Sequence, residues 1–354
     1  MRRRALLLAG LVALLAAPAW AQGPAVSRAR LPNGLTVLVR ENPTAPVVGV
    51  SLMVRMGTRW ETAENAGISN LVQLMIVRGT TTRDGGQIVE AADAMGGSIE
   101  ATGDVDYSEI AATALSRHWG EIMELVADVA LRPTMPDGVV VAVRDFLLRQ
   151  VRNRGDKPYD VALDTLVARV FGRHPYGWDP LGLKDSLERL DRDALLAHYK
   201  RHYVPGGLVL AVSGRVKTAE VIAQATRLFG SMPAGAAPTA SPPRPPAPAP
   251  WREARVVPGA QAQILMGALA PSLTDADYPA VKVLANVLGN LAMDRRTNAR
   301  QAWYLAAYEE SGVGYEFLDR YAAAVRAVTA ADVQRVAQRY LAVLRTVIVQ
   351  PTAP

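Results

Sequence analysis

The 354-residue chain contains no cysteine. That excludes a disulfide framework, a thiolate zinc site and a thiol nucleophile, and it is compatible with an oxidising exterior compartment. No basic stripe interleaved with aromatics occurs. The formal charge of +6 falls to +3 once Arg2, Arg3 and Arg4 are removed, which gives no electrostatic footprint for nucleic acid. After the first residues, no stretch approaches the roughly 20 apolar residues of a membrane helix. There is no G-x-S-x-G and no other activated-nucleophile pattern.

What is present begins with a leader. Arg2–Arg4, the apolar run Ala5–Ala17 and the small-residue site Ala19-Trp20-Ala21 read as a secretory signal over residues 1–21, with an uncleaved anchor as the alternative. Localisation is therefore expected to be periplasmic or secreted, without a stable membrane anchor. Half of the residues are hydrophobic, enough for the cores of two domains. A proline-rich stretch at 232–250 divides them. Proline fixes φ and removes a donor, so this stretch is expected to be an extended, semi-rigid spacer. The organisation is then 22–231, linker 232–250 and 251–354.

Alternating residues of 35–39 and 48–56 predict strands, and a helix is expected from an Asn65 N-cap to Val77. Strands are expected at 98–101, 107–114 and 207–214. Helices are expected at 119–130, 138–153, 159–171, 186–190 and 192–199, and up to Phe229 from a Thr218 cap. The second part repeats the plan: strand 261–269, helices 278–288, 299–310, 315–327 and one from Thr329 to about 342, then strand 346–350. The fold class is α+β: two related domains, each a mainly antiparallel sheet with helices on one face, the second truncated.

Five segments in order carry a resemblance: Leu31-Pro32-Asn33-Gly34-Leu35, Met56-Gly57-Thr58-Arg59-Trp60-Glu61, Gly96-Gly97-Ser98-Ile99-Glu100-Ala101, His174-Pro175-Tyr176-Gly177 with Leu181-Gly182, and Tyr203-Val204-Pro205 followed by Ser213-Gly214-Arg215-Val216. Together with Gly67–Thr80, they make the chain resemble the insulinase-like (M16) zinc metallopeptidases. That family's active helix reads approximately G-x-x-H-x-x-E-H-x-x-x-x-G-T. Here its first histidine position holds Asn70, its glutamate Gln73 and its second histidine Leu74. By the family's spacing to Pro158, the third ligand position is Gln150, expected to face inward with Val139, Val143 and Phe146.

The resemblance implies a zinc site that these residues do not supply. Asn70 offers a neutral amide oxygen, Leu74 no donor, Gln150 no anionic oxygen, and Gln73 no general base. No metal, no cofactor and no catalytic residue are expected. His198 and His202 have ligand spacing but fall on the family's ordinary helix end, and His118 and His174 read as surface or packing residues. Gly97, Ser98, Ile99, Glu100 and Ala101 match the edge strand that pairs with extended substrate in the family. In the second part, roughly 70 to 90 residues of sheet and helix are expected to be missing after Asn286–Asn290. Arg295, Arg296 and Tyr304 do not restore the family's arginine–tyrosine pair, and the shortened domain should expose apolar surface.

The implied function is a non-catalytic subunit paired with an active M16-family zinc peptidase and helping to enclose peptide. The alternatives are a stand-alone periplasmic peptide-binding or scaffold protein and, less favoured, an active zinc-dependent endopeptidase.

Overall fold

A computed structural model describes residues 25–240, 242–247, 249–257, 262–287 and 297–351. The expected signal sequence, Arg295 and Arg296 lie outside these residues. Among them the chain forms nine strands in two sheets.

The first sheet holds β1 (Val26–Arg30), β2 (Thr36–Glu41), β3 (Val47–Val54), β4 (Ser98–Gly103), β5 (Ser108–Leu115) and β6 (Leu208–Gly214) in the order β1-β2-β6-β3-β5-β4. Only the β2–β6 pair is parallel. Side chains alternate across a pleated strand. Val50, Leu52 and Val54 therefore face one core, and Ser51 and Met53 face another.

The first core lies under α1 (Ile68–Ile76), α2 (Gly85–Ala94), α3 (Trp119–Leu131), α4 (Asp137–Gly155), α7 (Arg192–His202) and α8 (Thr218–Phe229). Between α4 and α7 run α5 (Pro158–Phe171) and the short α6 (Lys184–Leu187). Two caps differ from expectation. The α1 N-cap is Gly67, at φ 92°, rather than Asn65, whose side chain instead accepts from the Thr62 N–H. The α8 N-cap is Lys217, and Thr218 binds the Glu41 carboxylate through both its N–H and its hydroxyl.

The second sheet has β7 (Trp251–Val257), β8 (Gln263–Gly267) and β9 (Arg345–Pro351) in the order β7-β9-β8, with β7–β9 parallel and β8–β9 antiparallel. This repeats β2-β6-β3 in order and direction. Among the described residues of this half there are four helices: α9 (Tyr278–Val287), α10 (Asn298–Glu310), α11 (Phe317–Ala327) and α12 (Ala330–Leu341).

The halves exchange a helix. Helix α5 packs its Ala162, Leu166 and Val170 on Val347 and Val349 of the second sheet. Helix α10 packs its Ala302, Leu305 and Ala306 on Leu38, Met53, Val209 and Ala211 of the first. The first sheet is thus covered on both faces, not one. Gly49 permits the approach, since a Cβ there would lie 2.5 Å from Ala299 Cα. Asn298 donates to Val47 O (3.0 Å), and Arg55–Glu310 (2.9 Å) and Arg28–Glu309 (2.7 Å) fix the far end of α10.

The proline-rich stretch has no regular structure from 233 to 240, but it is less detached than a free spacer. Gly235 O accepts from the Gly206 N–H, Pro238 O from Trp60 Nε1, and Ala247 O from Arg345 Nη2. It runs as a strap along the first half.

Candidate functional site

The site is built on α1, which packs against β4, α4 and α7. Its N-terminus is held by Glu61, whose buried carboxylate accepts from the N–H groups of Gly67 (2.9 Å) and Ser69 (2.9 Å). An anion there satisfies orphan donors and complements the helix dipole. Burial raises the Glu61 pKa, against the backbone hydrogen bonds that lower it. The C-terminal end is fixed by Thr80, which donates to Asp128 (2.9 Å). Asp128 also accepts from Thr82 (2.8 Å), Arg83 (2.6 Å) and Arg132 (2.7 Å). Burial pushes the Asp128 carboxyl up, but these four donors outweigh it and hold the pKa below the ordinary carboxylate range.

Between these anchors, Asn70 and Leu74 are half-buried and Gln73 is fully buried. The Gln73 amide donates to Tyr203 Oη (3.0 Å), while its oxygen has no partner. Burial raises the Tyr203 pKa further above the ordinary phenol range, so the hydroxyl stays neutral. One turn away, Ser69 Oγ lies 3.1 Å from His198 Nε2. His202 Nδ1 donates to Arg55 O (2.6 Å), and its Nε2 is buried and unpartnered. The two imidazole centroids are 4.4 Å apart. Burial, reinforced by the neighbouring His202 and Arg201, drives the His198 pKa down to about 3, and burial also lowers that of His202. This is a neutral packing pair.

Gln150 does not face inward. It is exposed on α4, as is Phe146 at 46%, because the buried stripe of that helix runs through Val140, Val143 and Leu147. The three residues that the resemblance assigns to the zinc positions therefore do not fit the metal: Leu74 is aliphatic, Gln150 an exposed amide and Asn70 a neutral amide, while Gln73, assigned to the base position, is an amide committed to Tyr203. Among the described residues, no three His, Cys, Asp or Glu side chains form a group able to hold a metal ion. His118 is half-buried beside Glu121 (3.3 Å), and His174 is buried, accepting from the Tyr176 N–H. Tyr304 is buried in α10.

The structure brings the sequence-matched edge segment to this helix. Strand β4 is the outer strand of its sheet, paired only with β5 among the described residues. Ser98, Glu100 and Thr102 are exposed on it, Ile99 is half-buried and Ala101 is buried. Gly103 abuts Asn70, since a Cβ at Gly103 would lie 2.9 Å from Asn70 Cα. Gly97 precedes the strand and has a packing role, as a Cβ there would sit 1.8 Å from Thr113 O. In the sequence Glu61, Thr80 and Tyr203 stand only as letters of the matched motifs. Their jobs as cap, clamp and amide partner emerge from the packing.

Paired αβ halves with exchanged helices, built around α1, define the class of fold as metallopeptidase-like. Residues 36–181 match the model of the insulinase (peptidase family M16) domain, and residues 189–350 match that of the peptidase M16 inactive domain. The chain belongs to the insulinase (M16) peptidase family. An uncharacterized zinc protease of Rickettsia felis is 29% identical over 206 residues, covering 58% of this chain and 50% of the relative. One from Mycobacterium leprae is 32% identical over 211 residues, covering 60% and 47%. The match thus spans about half the length of these relatives.

Among solved structures, the peptidase M16 inactive domain from Pseudomonas fluorescens superposes with a TM-score of 0.83 at 18% identity, covering 93% of this chain and 98% of that one. The first half of the periplasmic protease PqqL from Escherichia coli superposes with a TM-score of 0.73 at 14% identity, covering 93% and 92%. At these identities the likeness concerns the fold. No helix among the described residues is long and apolar enough to cross a membrane.

Proposed function

We propose that this chain is a catalytically inactive subunit of the M16 family, acting in the periplasm after removal of residues 1–21 and paired with an active zinc peptidase homologue. Its units are 22–231 and 251–354, strapped together by 232–250. The observation that carries this reading is Gln73. Where the family needs a carboxylate free to take a proton from water, this chain has a buried amide whose N–H₂ is spent on Tyr203. With Leu74 adjacent and Gln150 turned to solvent, no general base and no anionic or imidazole ligand set remains.

The scaffold around the lost chemistry is intact, which supports a role in shape rather than turnover. Strand β4 offers an unpaired edge alongside Asn70, suited to addition of an extended peptide. In the pair, this chain would form one wall of the chamber and the homologue would supply the metal. That open edge also suits the second reading, a stand-alone peptide-binding protein.

Affinity purification of the chain from its native host, with metal analysis, tests the proposal. The expected result is a 1:1 complex with an H-x-x-E-H homologue, with zinc in proportion to the homologue alone. Stoichiometric zinc in the isolated chain, or metal-dependent peptide cleavage by it, overturns the inactive assignment. Peptide binding without any peptidase partner favours the second reading.

A further inference from the structure

Strand β4 leaves one row of backbone groups unpaired, and its hairpin fixes which residues own them. Across the turn into β5, the Asp104 N–H donates to Tyr107 O (2.9 Å). Hydrogen-bonded and non-hydrogen-bonded pairs alternate along an antiparallel ladder. Counting back through Gly103↔Ser108, the pairs bonded to β5 are Thr102↔Glu109, Glu100↔Ala111 and Ser98↔Thr113. Ile99, Ala101 and Gly103 therefore turn their N–H and C=O groups outward, and no partner meets these among the described residues. An added strand bonds to these three. Glu100 then occupies a non-hydrogen-bonded position of the new ladder, where facing side chains come closest.

The two faces beside that edge differ in chemistry. Ile99 and Ala101 lie on the α1 side and pack on the first core, as does Leu74, one turn on from Asn70. Ser98, Glu100 and Thr102 lie on the α10 side and are exposed. Ser98 Oγ bonds Thr113 Oγ1 (3.2 Å), and Thr102 carries no charge. Glu100 forms no hydrogen bond or ion pair among the described residues. Its diagonal neighbour Glu109 is buried, bonded to Ser51 (2.6 Å), and its pKa is raised chiefly by burial and further by Glu100. Arg300, on the same side, stacks over Trp303 (4.9 Å) and Tyr304 (5.8 Å) instead of pairing with Glu100. A carboxylate without a counter-charge thus stands beside the open edge, in a chain whose net charge is positive.

We propose that the extended segment taken up by β4 carries a lysine or arginine opposite Glu100, flanked by apolar residues that face α1. This rests on the reading of β4 as a peptide-binding edge and adds the chemical class of the peptide. An added strand strips water from one side of Glu100. A facing cation replaces that water with a charge-assisted hydrogen bond, a neutral residue leaves the carboxylate uncompensated, and an acidic residue repels it. The alternation of the strand sends the two neighbours of the cation to the other face, beside Ile99 and Ala101.

Three end-blocked peptides of sequence Ser-Val-Thr-Val-X-Val-Thr-Val-Ser, with X as Lys, Met or Glu, test it by calorimetric titration into the purified chain at low salt, where an exposed pair is least screened. The Lys peptide should bind more tightly than the Met peptide by up to about five-fold, and more tightly than the Glu peptide by roughly ten-fold. Glu100→Gln should level the three affinities, and Glu100→Lys should reverse their order. Glu100 is exposed, so both variants should keep the wild-type circular dichroism. Hydrogen exchange at Ile99, Ala101 and Gly103 should slow whenever a peptide is bound. Slowed exchange there with equal affinity for all three peptides overturns the charge preference and leaves the edge reading standing. No binding and no protection with any peptide overturns both. A Glu100→Lys variant that keeps the wild-type order places the preference elsewhere and overturns the assignment to Glu100.

Discussion

Gly49→Ala should be one of the most damaging single-methyl changes in this protein. The new Cβ would lie 2.5 Å from both Cα and N of Ala299 and 2.8 Å from Asn298 C. These are backbone atoms at the start of α10, so no side-chain rotation relieves the clash. Carbon contacts are optimal near about 3.5–4.0 Å, so the helix must lift by about 1 Å. A gap of that size forfeits roughly a quarter to a half of each van der Waals contact that Ala302, Leu305 and Ala306 make with Leu38 and Met53. It also lengthens the Asn298–Val47 hydrogen bond, now 3.0 Å. Overpacking of this kind costs about 1–3 kcal/mol, and the shared movement of α10 places the expected loss at about 2–3 kcal/mol. Urea unfolding followed by circular dichroism measures it, and hydrogen exchange over 298–310 should quicken selectively. Gly138→Ala in α4 is the control, because nothing lies within 4 Å of its Cβ; it should gain about 0.4–1 kcal/mol. Equal stability of the two variants would refute the helix exchange as the reason for glycine at position 49.

The buried charges give three further outcomes. Burial, partly offset by the Ser51 hydrogen bond, lifts the Glu109 pKa from 4.5 to about 7. The folded state therefore holds a proton that the unfolded chain releases, so stability from this group is lost as pH rises from about 4.5 to 7, by at most about 3 kcal/mol; Glu109→Gln should flatten that slope in unfolding measured across the window. His198 works in the opposite sense: with its pKa depressed from 6.5 to about 3, its contribution is full above 6.5 and lost as pH falls toward 3, and His198→Gln should reduce acid sensitivity there. Asp128→Asn removes the acceptor charge shared by Thr80, Thr82, Arg83 and Arg132 and should lower the thermal midpoint, the equivalent of about 3–5 kcal/mol for a broken buried pair.

Much of the architecture was legible because local signals were strong. The shared face of Val48, Val50, Leu52 and Val54 in β3 and the Thr329 capping box, with Asp332 at the third helical position, reappear in the structure, although β3 is buried on both faces. Helix α2 went unread although Asp84 and Gln87 form a reciprocal capping box, a signal that was present in the sequence. Strand β1 was missed because Val26–Arg30 is short and most of its residues are charged or small. The orientation of Gln150 failed for a different reason. Helix α4 has apolar residues at 139, 140, 141, 143, 146, 147 and 148, which support two stripes, and only packing selects Val140–Val143–Leu147. The helix exchange was invisible for the same reason. The alanine-rich face of α10 announces close packing, not the sheet it packs on.

Helix α1 is held in place by anchors that use no metal. Glu61 satisfies its first N–H groups, Thr80 ties its end to Asp128, and Tyr203 from the end of α7 accepts the amide of Gln73. A carboxylate at position 73 would instead sit fully buried beside a phenol, with no cation to balance it. Gln73→Glu should therefore destabilise the chain increasingly as pH rises past the ordinary glutamate range, because burial raises the folded pKa and the unfolded chain ionises first. Gln73→Met removes an oxygen that lacks a partner but also the donor to the buried Tyr203 hydroxyl, so it should cost about 1–3 kcal/mol, equally at acidic and neutral pH. Unfolding midpoints of the two variants at acidic and neutral pH decide the matter: a Glu variant as stable as the Met variant at neutral pH would mean that something in the pocket still compensates a negative charge, and the case for an inactive helix would fail with it.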